Sequence, residues 1–215
     1  MILHMDTDKL ENQLVLQCAP LITGLRISNL LIIRRCYLQD LNHLLEGSCI
    51  RMRILYAESE KLTILLYHFN LLSSYMAVEK VREFLKMEGY EELDVEAILI
   101  KFTRRYHDYR EGGREFPHEL GLLLGYPFED VEGYIRNNGK NFLYIGYWKV
   151  YANVPAKRDV FRMFEMATER LLGMRQRGIS VQDIVISGPS MLACGAGQDH
   201  VWRTQKLHKI VSTRS

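Results

Sequence analysis

The run Gly112–Tyr151, GGREFPHELGLLLGYPFEDVEGYIRNNGKNFLYIGYWKVY, is the most punctuated part of the chain, with seven of the fifteen glycines and two of the five prolines. Pro117 suits the first turn of a helix, where its missing N–H would have had no partner. Glu119 follows within that turn, where the helix dipole favours a carboxylate. Gly125-Tyr126-Pro127 closes this short helix, and Pro127 opens another from Phe128 to about Asn138. His118, Gly121 and Gly125 fall at i, i+3 and i+7 and so share one face. A glycine inside a helix costs about 0.5–1 kcal/mol against alanine, so something is expected to approach Gly121 closely, either another element of the protein or a ligand beside His118. Asn137-Asn138-Gly139 reads as a stop and a turn.

Phe142 to Tyr151 then reads as a strand, rich in aromatic and β-branched residues. Both of its faces are apolar, which predicts an interior strand, and Gly146 in its middle marks a bulge or a close backbone approach. Lys149 is the one charge in the run, and its methylene stem lets it reach the sheet margin.

These features frame a candidate site. His118 can exchange a proton near neutral pH and is the candidate acid or base. Cys18, in Cys18-Ala19-Pro20, is read as lying just before a helix start, where free N–H groups and the dipole favour thiolate. It is the candidate nucleophile among four cysteines, with a small buried hydrophobe as the alternative. Cys18 joins His118 only if its segment folds against the His118 helix. Arg114, Glu119, Gly121, Gly146, Tyr147 and Lys149 are the candidate ligand-binding residues, Glu119 being expected to cap or bond the backbone more than to touch a substrate.

The segment FPHELGLLLGYPFEDVEGYI at Phe116 to Ile135, with GYWKVY at Gly146 to Tyr151 and CAPLITGL at Cys18 to Leu25, resembles DUF3793, an uncharacterised bacterial family. The resemblance runs from about Leu10 to about Gly178, leaving residues 179–215 as an extension. It implies an intracellular bacterial protein, mostly of one domain, and no particular activity.

Outside this segment the chain reads as ordinary globular protein. At 215 residues, 47% hydrophobic and 25% charged, it can bury a real core, and a single domain over 1–215 is expected. A net charge of +2 gives no electrostatic case for nucleic acid or an anionic membrane. The cysteines at 18, 36, 49 and 194 show no metal-ligand spacing, and the seven histidines include no close pair. No nucleotide-binding motif names a cofactor. Residues 1–15 lack the apolar core of a secretory signal, and the uncharged run Leu62–Val78 is too short and polar to span a bilayer. A cytoplasmic protein with reduced thiols follows.

In chain order, a helix is expected from about Asp8 to Gln17, broken at Cys18-Ala19-Pro20, and another over Leu30–Leu45 stopped by Gly47. Residues 49–57 and 62–68 should form an antiparallel hairpin, with Ile50, Met52, Ile54 and Tyr56 on its buried face and Arg51 and Arg53 opposite. Helices should follow from Asn70 to Met87, from Asp94, and from Pro155 to Arg177. The Asp94 helix has the clearest apolar stripe: Val95, Ile98, Leu99, Phe102, Tyr106 and Tyr109. Ile184–Ser187 is either a strand completing a β-α-β crossover or part of a helix capped by Ser180 and Asp183.

The expected class is therefore α+β, a small mainly antiparallel sheet with about six helices. Two functions fit: a protein binding a small molecule or cofactor near His118, with His118 as acid or base if it is an enzyme, or a non-catalytic interaction or regulatory subunit. A concave pocket containing His118 would favour the first, and a flat exposed aromatic patch the second.

Overall fold

The computed structural model describes residues 10–113 and 115–191. It has the expected class, with α-helices, one three-stranded antiparallel sheet and a separate two-stranded ribbon. The described chain divides into two compact units, one of residues up to His68 and from Met163, the other of Phe69–Arg162.

The first unit is built on the sheet β1 (Ser28–Arg34), β2 (Ile50–Ala57) and β3 (Lys61–His68), in the order β1-β3-β2. The β2–β3 hairpin lies where the sequence places it. β3 has seven consecutive buried residues, Leu62 to His68, as befits a central strand covered on both faces. A β-bulge at Leu55 shifts the register from Ile54↔Ile64 to Tyr56↔Thr63. Alternation therefore fails there: Leu55 is 2% exposed, whereas Ile54, expected inside, is 38% exposed.

The helix expected over Leu30–Leu45 is corrected. Its first part is β1, its centre a 3-10 turn at Arg35–Tyr37, and only α2 (Leu38–Leu45) is α-helical. Leu31 and Ile33 are buried while Ile32 is exposed, a period of two that matches pairing with β3. A second correction concerns α1 (Leu10–Ile22), which continues through Cys18 with Pro20 inside its last turn. The carbonyls at its end find other donors. Thr23 N and Oγ1 donate to Ala19 O, Arg26 N to Pro20 O, and His68 Nε2 lies 2.8 Å from Leu21 O.

The open choice after Gly178 resolves as a helix. Ser180 Oγ accepts from Asp183 N at 3.1 Å, and α9 (Val181–Met191) follows, so there is no β-α-β crossover. Leu14, Val15, Cys18, Ile22, Leu31, Ile64, Leu171 and Ile184 belong to one core that joins α1, the sheet, α9 and the distal half of α8 (Val154–Gln176). The glycine loop at 195–197, the basic end at 203–214 and the Asp6 or Thr7 cap lie outside the described residues.

The second unit begins with α3 (Phe69–Met76) and α4 (Glu79–Met87), a break at extended Val78 dividing the single helix expected there. α5 (Val95–Arg110) is N-capped by Asp94, whose side chain accepts from Ala97 N, and it buries Val95, Ile98, Leu99, Phe102 and Tyr106 as its stripe predicts. Two short helices follow, α6 (Glu119–Leu123) and α7 (Phe128–Arg136), then a left-handed turn with Asn138 at φ 50° and Gly139 at φ 70°.

Residues 142–151 are not an interior strand. They form a hairpin ribbon of β4 (Tyr144–Ile145) and β5 (Lys149–Val150), which among the described residues pair only with each other. Gly146 sits in the reversal, its N–H donating to Trp148 O at 3.1 Å, rather than in a bulge. One face of the ribbon is packed and the other is exposed, so two apolar faces do not here mean a central strand.

Candidate functional site

The ribbon is held by α7. Asp130, 2% exposed, accepts through Oδ1 from Tyr151 N at 2.8 Å and Ala152 N at 3.3 Å, and through Oδ2 from the Trp148 indole at 2.8 Å. Lys157 on α8, 1% exposed, donates to Glu129 Oε1 at 2.5 Å and lies 3.8 Å from Asp130 Oδ2. Burial pushes the Asp130 carboxyl above its ordinary value, against the pull of Tyr151, Trp148 and Lys157. Trp148 meets Phe161 edge-on at 4.5 Å and stacks on Tyr126 at 5.2 Å, and the Tyr75 hydroxyl donates to Tyr126 O.

Two glycines permit these contacts. A Cβ on Gly146 would lie 2.3 Å from the Phe161 ring, and one on Gly133 would lie 2.5 Å from Tyr151. Val150 is fully buried, and Tyr144, its cross-strand partner, stacks on Phe161.

The opposite face carries Ile145 and its cross-strand partner Lys149, with Leu143 two residues before Ile145 on the same side. Lys149 Nζ donates to Gly139 O at 2.7 Å and sits 5.1 Å from the Phe142 ring centroid and 5.6 Å from that of Tyr134. Tyr134 contacts His118, His118 contacts Phe116, and Phe116 contacts Tyr109, at 5.7, 5.5 and 5.3 Å between ring centroids. An unbroken path of side chains thus leads from the ribbon to the Tyr109 end of α5. Leu143 is 65% and Ile145 57% exposed, and Phe116, Tyr134, Phe142 and Tyr147 are each about 40% exposed.

His118 is half-buried at the N-cap of α6, and among the described residues no hydrogen bond engages its ring. Glu119 turns inward and is fully buried. The Tyr90 hydroxyl donates to its Oε1 at 3.0 Å, and Arg105 Nε lies 2.6 Å from the same oxygen without the alignment of a directed N–H bond. Arg105 also donates to Glu88 Oε2 at 2.9 Å, and Lys101 donates to Gly89 O. The close approach at Gly121 is made by Val131 of α7, whose Cγ2 would be 2.9 Å from an added Cβ. Tyr147 leans on Phe161 at 5.4 Å. Arg114 lies outside the described residues.

Cys18 belongs to the first unit and His118 to the second. The Cys18 thiol is fully buried, accepts from Asn29 Nδ2 at 3.3 Å, and is pushed up to about 12 by burial. The helix-start argument for its thiolate fails, because α1 carries on past it.

Sequence reading missed Asp130, Lys157, Tyr90 and Arg105, the charged and phenolic groups inside the second unit. A signal for Lys157 was present: it continues the buried stripe of Val160, Phe161 and Phe164 one turn toward the helix start. Among the described residues no group of His, Cys, Asp and Glu side chains could hold a metal ion, and no helix is long and apolar enough to cross a membrane.

The second unit thus defines a class: an α+β protein that fixes an exposed aromatic and aliphatic surface over a buried ionic latch. The chain belongs to the family described as Protein of unknown function (DUF3793), whose model matches residues 14–185. That span reaches into the first part of α9, past the Gly178 limit of the resemblance read from the motifs. No curated protein and no solved structure matches the chain.

Proposed function

We propose that the protein is a non-catalytic interaction subunit that binds a protein partner through the outward surface of its second unit. The observation that carries this is the exposed run of Leu143, Ile145, Phe142, Tyr134 and Phe116, with Lys149 at its centre and the half-buried His118 between Tyr134 and Phe116. Aromatic residues are enriched in protein interfaces and dominate their binding energy. Contiguous apolar exposure on a surface held in place from below is the usual mark of a contact site. The latch at Asp130 supports the reading, since it pre-orders the ribbon and lowers the entropy lost on association. The test is a photo-crosslinking residue placed at Ile145 in the protein's own host, with the exposed Met87 on α4 as control position. A partner captured from position 145 and not from 87 is expected. Equal capture from both positions, or none at 145, removes this function.

A second reading, favoured by the unengaged imidazole between Phe116 and Tyr134, is a small-molecule site at His118. There His118 would offer a proton donor or acceptor and the two rings an apolar wall. Native mass spectrometry of protein from its own host would then show bound mass, lost on His118→Gln with the melting temperature unchanged. Bound mass retained in that variant, or none in either protein, eliminates this second site.

A further inference from the structure

The exposed run has a charge asymmetry that bears on what covers it. From Gly133 to Arg158 the sequence contains Arg136, Lys140, Lys149, Lys157 and Arg158, and no aspartate or glutamate. Two of these cations are neutralised within the protein: Lys157 pairs with Glu129, and Arg136 with Glu132. The other three meet no carboxylate among the described residues. Lys149 is held by Gly139 O and two rings, Arg158 lies 5.6 Å from the Tyr144 ring, and Lys140 is exposed in the turn beside Gly139. Ile145 therefore pairs across the ribbon with Lys149, and Leu143 follows Lys140 by three residues, with no carboxylate among the described residues bonded to either lysine. On the aromatic side, Glu132 precedes Tyr134 by two residues and is paired with Arg136, and Glu115 adjoins Phe116 at the far end of the run.

We infer that the partner presents an acidic protein segment carrying aliphatic or aromatic side chains, its carboxylates meeting Lys140 and Lys149 and its apolar groups covering Leu143 and Ile145. The inference rests on the partner-binding reading above and adds the chemistry of the partner to it. A cation beside an apolar contact rewards an opposite charge in orientation and on-rate, and penalises a like charge. A single-stranded nucleic acid suits the surface less well. Its bases would stack on the rings and leave uncovered the two most exposed large hydrophobics of the ribbon, the aliphatic Leu143 and Ile145.

The test pans a phage-displayed random-peptide library on the full chain and measures the selected peptides by fluorescence anisotropy against three proteins: wild type, Lys140→Glu and Leu143→Ser. Both substituted side chains are exposed, so melting temperatures should match the wild type. Selected peptides are expected to combine Asp or Glu with Leu, Ile, Phe or Trp, and to lose about tenfold in affinity for each variant. Uncharged or basic peptides that still lose affinity on Leu143→Ser would overturn the acidic partner and leave partner binding standing. Peptides indifferent to both variants, or no selection at all, would overturn both. An oligothymidine probe that binds more tightly than the selected peptides, and releases on Lys140→Glu, would replace the protein partner with a nucleic acid.

Discussion

Asp130→Ala is the substitution that most directly tests how the ribbon is held. It removes the acceptor of the Trp148 indole at 2.8 Å, of Tyr151 N at 2.8 Å and of Ala152 N at 3.3 Å, and leaves the buried Lys157 with Glu129 alone. A buried donor left without its acceptor costs about 1–3 kcal/mol, and loss of one member of a buried ion pair about 3–5 kcal/mol. These costs overlap, because the space vacated by the carboxylate admits water that reaches several of the same donors. The expected loss is therefore about 3–5 kcal/mol rather than their sum. Urea unfolding followed by far-ultraviolet circular dichroism measures it as a fall in midpoint at constant slope. A change within about 0.5 kcal/mol, the scale of a surface substitution, would refute the latch and with it the claim that the outward face is pre-ordered.

The same residue gives a pH dependence of definite sign. Burial raises the folded carboxyl of Asp130 above its ordinary 3.8, so between those two values the folded chain holds more proton than the unfolded chain. Stability from this group therefore falls as pH rises through the folded value, and is regained as pH falls back through it. Asp130→Asn lacks the titration. The stability of wild type minus Asp130→Asn should increase on acidification from neutral pH and level off near 3.8. A difference that shrinks on acidification would show that the donors outweigh burial and that the group is stabilised as the anion.

Gly146→Ala and Gly188→Ala should each destabilise by about 1–3 kcal/mol as overpacking changes. The first would place a Cβ 2.3 Å from the Phe161 ring, and the second 2.1 Å from Ile22 O, a backbone atom that moves only if α1 and α9 part. A thermal unfolding scan of each variant checks this, and a neutral Gly188→Ala would mean that the α1–α9 contact is looser than it stands. Brief alkylation of the native protein followed by peptide mapping should modify the exposed Cys36 and Cys49 and spare Cys18; rapid Cys18 labelling would contradict its burial. With its thiol at about 12 against an ordinary 9.0, Cys18 contributes stability that is complete below about 9 and lost as pH rises toward 12. Cys18→Ala should flatten that alkaline slope in equilibrium unfolding, and an unchanged slope would reject the assignment.

What could be read from the sequence, and what could not, follows from how many physical signals agreed at each place. α5 has a cap at Asp94 and an apolar stripe over four turns, so local preference and burial point the same way, and β2 and β3 are legible as two strands joined by a polar turn although the bulge at Leu55 breaks the alternation. β1 offered only the short run Leu30-Leu31-Ile32-Ile33, which suits a buried helix face or a strand equally until pairing with β3 decides. In the ribbon, periodicity misled because it records only which side chains are apolar, not what covers them. Val150 and Tyr144 face protein, while Ile145 and Leu143 face outward. Glycines carry the same ambiguity. Gly121 and Gly146 did announce close approaches, but the approaching groups are Val131 and Phe161, and a glycine cannot name its neighbour. The ionic interior was hidden because Asp130 and Glu129 satisfy the dipole of α7 so well that a helix-start role explains them fully. Only Lys157 departs from any local rule, as a charge on the apolar stripe of α8. A lysine there requires a buried anion from elsewhere in the chain, and among the acids of the second unit those at the start of α7 answer it.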